Sequence, residues 1–359
     1  MAACIGVMAG GTGGHVFPAL AVAEALRAQG ADVFWIGTRR GMESRLVPEQ
    51  GFDMEWVEIA GLRGKGLGAI LSGPFKLLGA LRQAWTILRR RRPAVILGMG
   101  GFVSGPGGLA ARALGIPLVI HEQNAIPGLT NQWLARIASR VFEAFPGSFP
   151  QARNAIATGN PVRPVIAALP PPRERFAGRT GPAHLLVVGG SLGAQALNET
   201  LPLALARLPT ASRPLVRHQA GERTLAAAAA AYRQAGVTAE VTAFIGDMAQ
   251  AYTWADLVVC RAGALTISEL AAAGLGAILV PYPHAVDDHQ VSNAHYLTAV
   301  GAALLIIQHD LDPAGLAMTL ETLLADRARL LTMAEAARTR ATPAAVDQIA
   351  AACLELARS

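Results

Sequence analysis

Three glycine-rich segments carry the clearest chemical potential in this sequence. Gly10-Gly11-Thr12-Gly13-Gly14-His15 follows a short β-type run and precedes a helical one. Backbone N–H groups and a helix N-terminus there face any bound anion or polar ligand. The second segment, Gly98-Met99-Gly100-Gly101-Phe102-Val103-Ser104-Gly105-Pro106-Gly107-Gly108, holds more glycine than a turn needs, so backbone must come close to something. The third, Gly189-Gly190-Ser191-Leu192-Gly193-Ala194, again joins a strand-like run to a helix expected from near Ala194. An anion at such a helix start gains roughly 0.3–1 kcal/mol, up to ~2 when partly buried. For a diphosphate leaving group the gain is larger in the transition state, where negative charge develops on the departing oxygen.

Other nucleotide chemistries fit less well. A dinucleotide fingerprint would need glycine or alanine at Val16 and an acid after the second strand, where Thr38-Arg39-Arg40 stands instead. That disfavours NAD and leaves Arg39 and Arg40 as the only support for an NADP-dependent oxidoreductase. Gly61-Leu62-Arg63-Gly64-Lys65 lacks the spacing and the Ser or Thr of a Walker A loop.

The elements that must position these loops repeat as short apolar run, glycine turn and helical stretch, the pattern of βαβ units and parallel sheets. Strands are expected at Cys4–Ala9, Val33–Ile36, Met54–Ile59, Ala94–Leu97, Leu118–His121 and Val141–Phe145, with Val16–Gln29 the clearest helix. The plan returns at Leu185–Val188, Leu215–Gln219, Val241–Phe244, Leu257–Cys260 and Ala277–Val280. Between the halves, Gly159-Asn160-Pro161-Val162-Arg163-Pro164 and a Pro-rich stretch read as a hinge. The expected division is an N-terminal Rossmann-like domain over 1–160, a second over 161–340 and a closing helix over 341–359, one tail helix returning to the first domain. A chain of 359 residues suits two such cores. Ligands of parallel sheets lie beyond the strands' carboxyl ends, so the site is expected in a cleft between the two domains.

Apolar residues at 52% and charged ones at 16% exclude disorder. The most apolar stretches, 94–111 and 264–283, are broken by glycines, Pro106 and Glu269, so neither reads as a spanning helix. No basic region precedes the apolar start, so a cytoplasmic chain is expected. Cys4, Cys260 and Cys353 are too few and too scattered for a disulfide framework; neither a disulfide nor a metal is expected. A net charge of +6 points to an anionic partner. Aromatics at 5%, not interleaved with basic residues, count against nucleic acid.

Gly10–His15, Gly100–Pro106, His121-Glu122-Gln123-Asn124, Gly159–Arg163, Gly189–Ala194 and Arg261-Ala262-Gly263-Ala264-Leu265-Thr266-Ile267-Ser268-Glu269 occur in this order. Together they resemble the MurG family of glycosyltransferases, over about residues 5–300. The resemblance implies an α/β GT-B fold of two Rossmann-like domains and an inverting, metal-independent transfer without cofactor. N-acetylglucosamine (GlcNAc) would pass from UDP-GlcNAc to the 4-hydroxyl of N-acetylmuramic acid in lipid I, giving lipid II for peptidoglycan. It implies that Ala264, Leu265, Thr266, Ile267, Ser268 and Glu269 lie in the donor site, with Glu269 accepting from the ribose hydroxyls; a carboxylate suits a vicinal diol. The bland alternative is an exposed acid on a helix face. By the same likeness Ile245 clamps the uracil edge, Ser191 and Arg163 meet diphosphate, and Gln290 meets the sugar. Thr12, Gly13, Gly14 and Asn124 approach the transferred sugar or the acceptor. Asp287 and Asp288 read as helix caps rather than metal ligands.

An inverting attack by a hydroxyl calls for a base. His15 is the first candidate, since imidazole takes up protons near neutral pH; Glu122 is the second, and a loop-capping role for His15 stands beside the first. From Gly61 to Arg92, Leu67, Ile70, Leu71, Phe75, Leu77, Leu78, Leu81 and Trp85 mix with Lys65, Lys76, Arg82 and Arg89-Arg90-Arg91-Arg92. This suits a peripheral helix on the anionic cytoplasmic face of an inner membrane, or an amphipathic helix packed on its own domain. The implied partners are UDP-GlcNAc, lipid I, anionic lipids and other cell-wall synthesis and division proteins. Another UDP-sugar enzyme, an epimerase or a glycolipid transferase, is the nearest rival, and a membrane-bound scaffold without catalysis is a further one.

Overall fold

The computed structural model describes residues 2–59, 67–190, 193–283, 285 and 288–358. The chain divides into two compact units, Met1–Arg163 with Thr342–Ser359, and Pro164–Ala341.

In the first unit β1 (Cys4–Met8), β2 (Asp32–Gly37), β3 (Asp53–Trp56), β4 (Val95–Gly98), β5 (Leu118–Glu122), β6 (Arg140–Glu143) and β7 (Ile156–Ala157) form one sheet. Its order is β3-β2-β1-β4-β5-β6-β7. Every pairing is parallel. The helices are α1 (Gly13–Ala28), α2 (Glu43–Glu49), α3 (Leu67–Arg91), α4 (Ser104–Ala113) and α5 (Leu129–Leu134). Central strands such as Val95-Ile96-Leu97 are apolar at every position because helices cover both faces. Alternate residues part accordingly: Ile5 and Val7 pack with Val16, Leu20 and Leu26 of α1, whereas Ile96 packs with Ala84 and Leu88 of α3.

The second unit has α6 (Pro164–Ala167), α7 (Pro172–Phe176), β8 (His184–Val188), α8 (Gln195–Arg207), β9 (Leu215–Gln219), α9 (Leu225–Gln234), β10 (Glu240–Thr242), α10 (Met248–Trp254) and β11 (Leu257–Cys260). It continues through α11 (Ala264–Ala273), β12 (Gly276–Leu279), α12 (His289–Thr298), β13 (Ala303–Leu305), α13 (Pro313–Leu324) and α14 (Arg327–Arg338). Its sheet, again parallel, runs β10-β9-β8-β11-β12-β13. Leu185, Val187, Leu197, Leu201, Leu316 and Leu320 share its core. α15 (Ala345–Arg358) then returns to the first unit, where Ile349, Ala350 and Cys353 are buried in the α1 core.

The strands expected from apolar runs are present, some with ends shifted by a few residues. The run expected to reach Ile59 stops at Trp56, and that expected to reach Phe244 stops at Thr242. Two edge strands, β7 and β13, carry no expectation from sequence. β7 is two exposed residues, and the Ala-rich lead into β13 has no strand-like alternation.

Candidate functional site

Each sheet changes winding direction at its middle, between β1 and β4 in the first unit and between β8 and β11 in the second. Such switch points leave a crevice beyond the strand ends where α/β proteins bind ligands. All three glycine segments follow a strand at a switch point.

In the first unit the loops after β1 and β4 lie against each other. Gly101 has φ +82°, and a Cβ there would stand 2.4 Å from the Gly10 carbonyl oxygen, a backbone atom that cannot rotate away. Thr12 is the N-cap residue of α1, and the N–H groups of His15 and Val16 donate to its carbonyl. Thr12 and Gly14 are exposed, and Gly13 and His15 half-buried. The Arg163 guanidinium lies over the Phe17 ring at 5.6 Å, beside the first turn of α1.

A buried acid shapes this loop from below. Glu43 accepts hydrogen bonds from the Gly11 N–H (2.9 Å), the Thr38 N–H (2.9 Å) and the Thr38 hydroxyl (2.7 Å). Sequence reasoning missed it, because an acid in the first turn of α2 reads as an exposed complement to the helix dipole.

β5 carries His121 and Glu122 into the same region. Glu122 is buried, and both carboxylate oxygens are occupied. One accepts from the Asn124 N–H (2.9 Å) and Asn124 Nδ2 (3.2 Å), the other from the Gly128 N–H (3.2 Å) and Asn131 Nδ2 (2.9 Å). The arrangement pins the loop that presents Asn124. His15 Nδ1 lies 3.0 Å from Gln123 Oε1, and Gln123 Nε2 reaches the Met99 carbonyl (2.9 Å) and His121 Nδ1 (3.2 Å). His121 Nε2 in turn meets the Gly159 carbonyl at 2.9 Å. Full burial, with the neighbouring charge of His15 adding to it, pushes His121 down to about 4, so its ring is neutral at pH 7.

In the second unit Gly263 is the N-cap of α11, which starts from the end of β11. Ala264, Ile267, Ser268 and Glu269 are buried on α11, and Leu265 and Thr266 half-buried. The exposed helix-face acid is thereby excluded: Glu269 is 5% exposed and accepts a hydrogen bond from the Tyr252 hydroxyl at 3.0 Å. Tyr252 lies on α10 and was not singled out from sequence. Ile245 follows β10 and is half-buried. Gln290, in the first turn of α12, accepts from the Tyr282 N–H at 2.9 Å through Oε1. Arg261 Nη1 donates to the carbonyls of Val280 and Pro281, both at 3.1 Å, and Nη2 to Gln308 Oε1 at 2.6 Å. Those bonds tie the end of β11 to the segments that follow β12 and β13.

The capping expectation needs correction. Asp288 occupies the N-cap of α12, but its backbone is left-handed (φ 51°) and its carboxylate makes no cap hydrogen bond. Ser191 and Asp287 lie outside the described residues, as does Lys65. Among the described residues no cluster of three or more His, Cys, Asp or Glu could hold a metal ion.

On α3, Phe75, Leu77 and Leu78 are exposed beside exposed Lys76 and Arg82. The side chains of Leu67, Ile70 and Leu71 lie outside the described part. The basic run ending α3 is not uniformly turned to solvent, since Arg90 and Arg91 both pair with Glu55. No described helix is long and apolar enough to cross a membrane.

Two doubly wound parallel units with glycine loops at their switch points are the plan of a GT-B fold, and family models make the chain a glycosyltransferase. The glycosyltransferase family 28 N-terminal domain matches residues 5–143 and its C-terminal domain residues 184–349. A Marinobacter nauticus protein named UDP-N-acetylglucosamine--N-acetylmuramyl-(pentapeptide) pyrophosphoryl-undecaprenol N-acetylglucosamine transferase is 58% identical over 98% of this chain and 97% of its own length. A Nitrosococcus oceani protein of the same name is 58% identical over 99% of each chain. The crystal structure of Acinetobacter baumannii MurG is 43% identical and superposes with a TM-score of 0.84 over 98% of this chain and 99% of its own. The glycotransferase of kitacinnamycin, at 18% identity and TM-score 0.67 over 97% and 98%, shares the fold alone. The chain belongs to the MurG family.

Proposed function

We propose that this protein transfers GlcNAc from UDP-GlcNAc to the 4-hydroxyl of N-acetylmuramic acid in undecaprenyl-pyrophosphoryl-N-acetylmuramyl pentapeptide, lipid I, to give lipid II in peptidoglycan synthesis. The observation that carries this reading is identity of 58% over nearly the whole chain with transferases of that name. Buried Glu269 on α11 and the glycine loop after β8 are the chemistry such a donor requires: a two-oxygen acceptor for the ribose diol and a cradle for diphosphate.

In the transfer, the acceptor oxygen bonds to the anomeric carbon from the face opposite UDP. The bond from that carbon to the β-phosphate oxygen breaks, and its electron pair leaves on UDP. The hydroxyl proton passes to a base. We assign the base to His15 rather than Glu122, whose oxygens are already engaged by four donors. The second unit takes the donor, through Ile245, Ala264–Glu269 and Gln290 together with Ser191. The first takes the acceptor, through Thr12, Gly13, Gly14 and Asn124, with Arg163 beside α1 meeting diphosphate. α3 holds the protein to the anionic cytoplasmic leaflet through Phe75, Leu77 and Leu78.

Labelled UDP-GlcNAc and a lipid I analogue test the reaction. A β-1,4-linked disaccharide lipid and free UDP in equal amounts are expected. UDP release without lipid product, or conversion of the sugar nucleotide to an epimer, overturns it.

A further inference from the structure

We infer that Gln123 is a positioning residue that fixes the tautomer of His15, leaving Nε2 as the proton acceptor, with His121 and two backbone carbonyls setting the direction of the chain. This deepens, and rests on, the assignment of His15 as base.

Several groups around Gln123 can act in only one way. A backbone carbonyl only accepts. The Gln123 amide atom 2.9 Å from the Met99 carbonyl is therefore the NH2 nitrogen, which excludes the flipped amide. At the other end the Gly159 carbonyl lies 2.9 Å from His121 Nε2, so that nitrogen carries the hydrogen. A neutral imidazole has one N–H, hence His121 Nδ1 is a lone pair, the partner the Gln123 NH2 group needs at 3.2 Å. Two independent carbonyls thus agree on one orientation of the amide. The neutral state of His121 follows from its burial and agrees as well.

With its NH2 spent on Met99 and His121, Gln123 offers His15 only Oε1. His15 Nδ1, 3.0 Å away, must then be the protonated nitrogen. In the neutral ring Nε2 carries the lone pair. When Nε2 takes a proton, the Nδ1–H to Oε1 bond persists, so proton uptake requires no rearrangement of the chain. Gly100 makes room for the ring: it has φ +92°, and a Cβ there would lie 2.5 Å from His15 Nδ1 and 3.3 Å from Gln123 Oε1.

The tautomer can be read directly in the full-length protein by two-dimensional NMR with 15N-labelled histidine, His15 being assigned by its loss in His15→Gln. At pH 8 the wild type should show Nδ1 protonated and Nε2 as a bare ring nitrogen. Gln123→Leu should lose this preference and lower kcat by about tenfold or more, with KM for UDP-GlcNAc little changed. A wild-type His15 protonated at Nε2 overturns the inference by itself, whatever the fold of the variants, and so does a Gln123→Leu protein that keeps the Nδ1–H form. If the tautomer shifts as described while turnover stays at wild-type level, the positioning stands and the assignment of His15 as base falls.

Discussion

Glu269 could be located because its glycine-to-helix setting belongs to a run of nine residues with a recognisable family pattern. Its orientation could not. The hydroxyl that holds it comes from Tyr252, 17 residues earlier on a different helix, and only the folded chain brings the two within 3.0 Å. In the proposed role of accepting two ribose hydroxyls, this carboxylate gains from having its rotamer set before the donor arrives. Tyr252→Phe keeps the buried ring and removes that bond, worth about 1–2 kcal/mol. The expected outcome is a rise of roughly 5–30-fold in KM for UDP-GlcNAc with kcat nearly unchanged, measured by initial rates across donor concentrations. A fall in kcat with constant KM would place Tyr252 elsewhere in the chemistry. The same limit on legibility applies to Gln123 and Glu43. Their types and positions are visible in sequence, but each acts through partners 24 to 108 residues away or across a turn whose geometry no spacing rule supplies.

Elements were more legible than contacts. Apolar runs bounded by glycine gave the central strands of both sheets, because a strand covered on both faces has an unmistakable composition. The edge strands β7 and β13 escaped for the converse reason: short, partly covered strands lack both the run and the alternation. α3 shows how far an amphipathic reading goes. Ala80, Ala84, Ile87 and Leu88 form its buried face, as an ordinary packed helix requires. Yet Phe75 and Leu78 are 79% and 65% exposed, where packing alone would have placed polar residues. Phe75→Glu combined with Leu78→Glu should therefore leave the fold intact and weaken sedimentation with liposomes containing acidic lipid several-fold, by the apolar area withdrawn from the interface. Arg90, held by Glu55, should contribute less to that binding than Lys76. Sedimentation unchanged in the double variant would remove the membrane role from α3.

For the molecule as a whole, the duplicated βαβ plan was written in the sequence, but a consequence of its two cores was not. Among the described residues, each unit encloses one histidine held far from its ordinary titration: His121 in the first and His218 in the second, both pushed down to about 4 by burial. His218 meets the Tyr232 hydroxyl at 2.9 Å through Nδ1, while its buried Nε2 has no hydrogen-bond partner among the described residues, so a charged ring there would be poorly compensated. In the unfolded chain both rings titrate near ~6.5. Between that value and about 4 the unfolded state binds more protons than the folded one, so stability falls as pH falls. The contribution is fully present above about pH 6.5 and drains away toward pH 4, at most about 3 kcal/mol for each ring. Urea unfolding followed by amide NMR signals assigned to each unit should show both midpoints lower at pH 5 than at pH 7.5. His218→Gln removes the titrating ring from the second unit alone, so the midpoint of that unit should lose much of its pH dependence while the first keeps its own. Equal slopes in the variant and the wild type would mean that other groups, not the buried histidine, set the acid sensitivity of that unit.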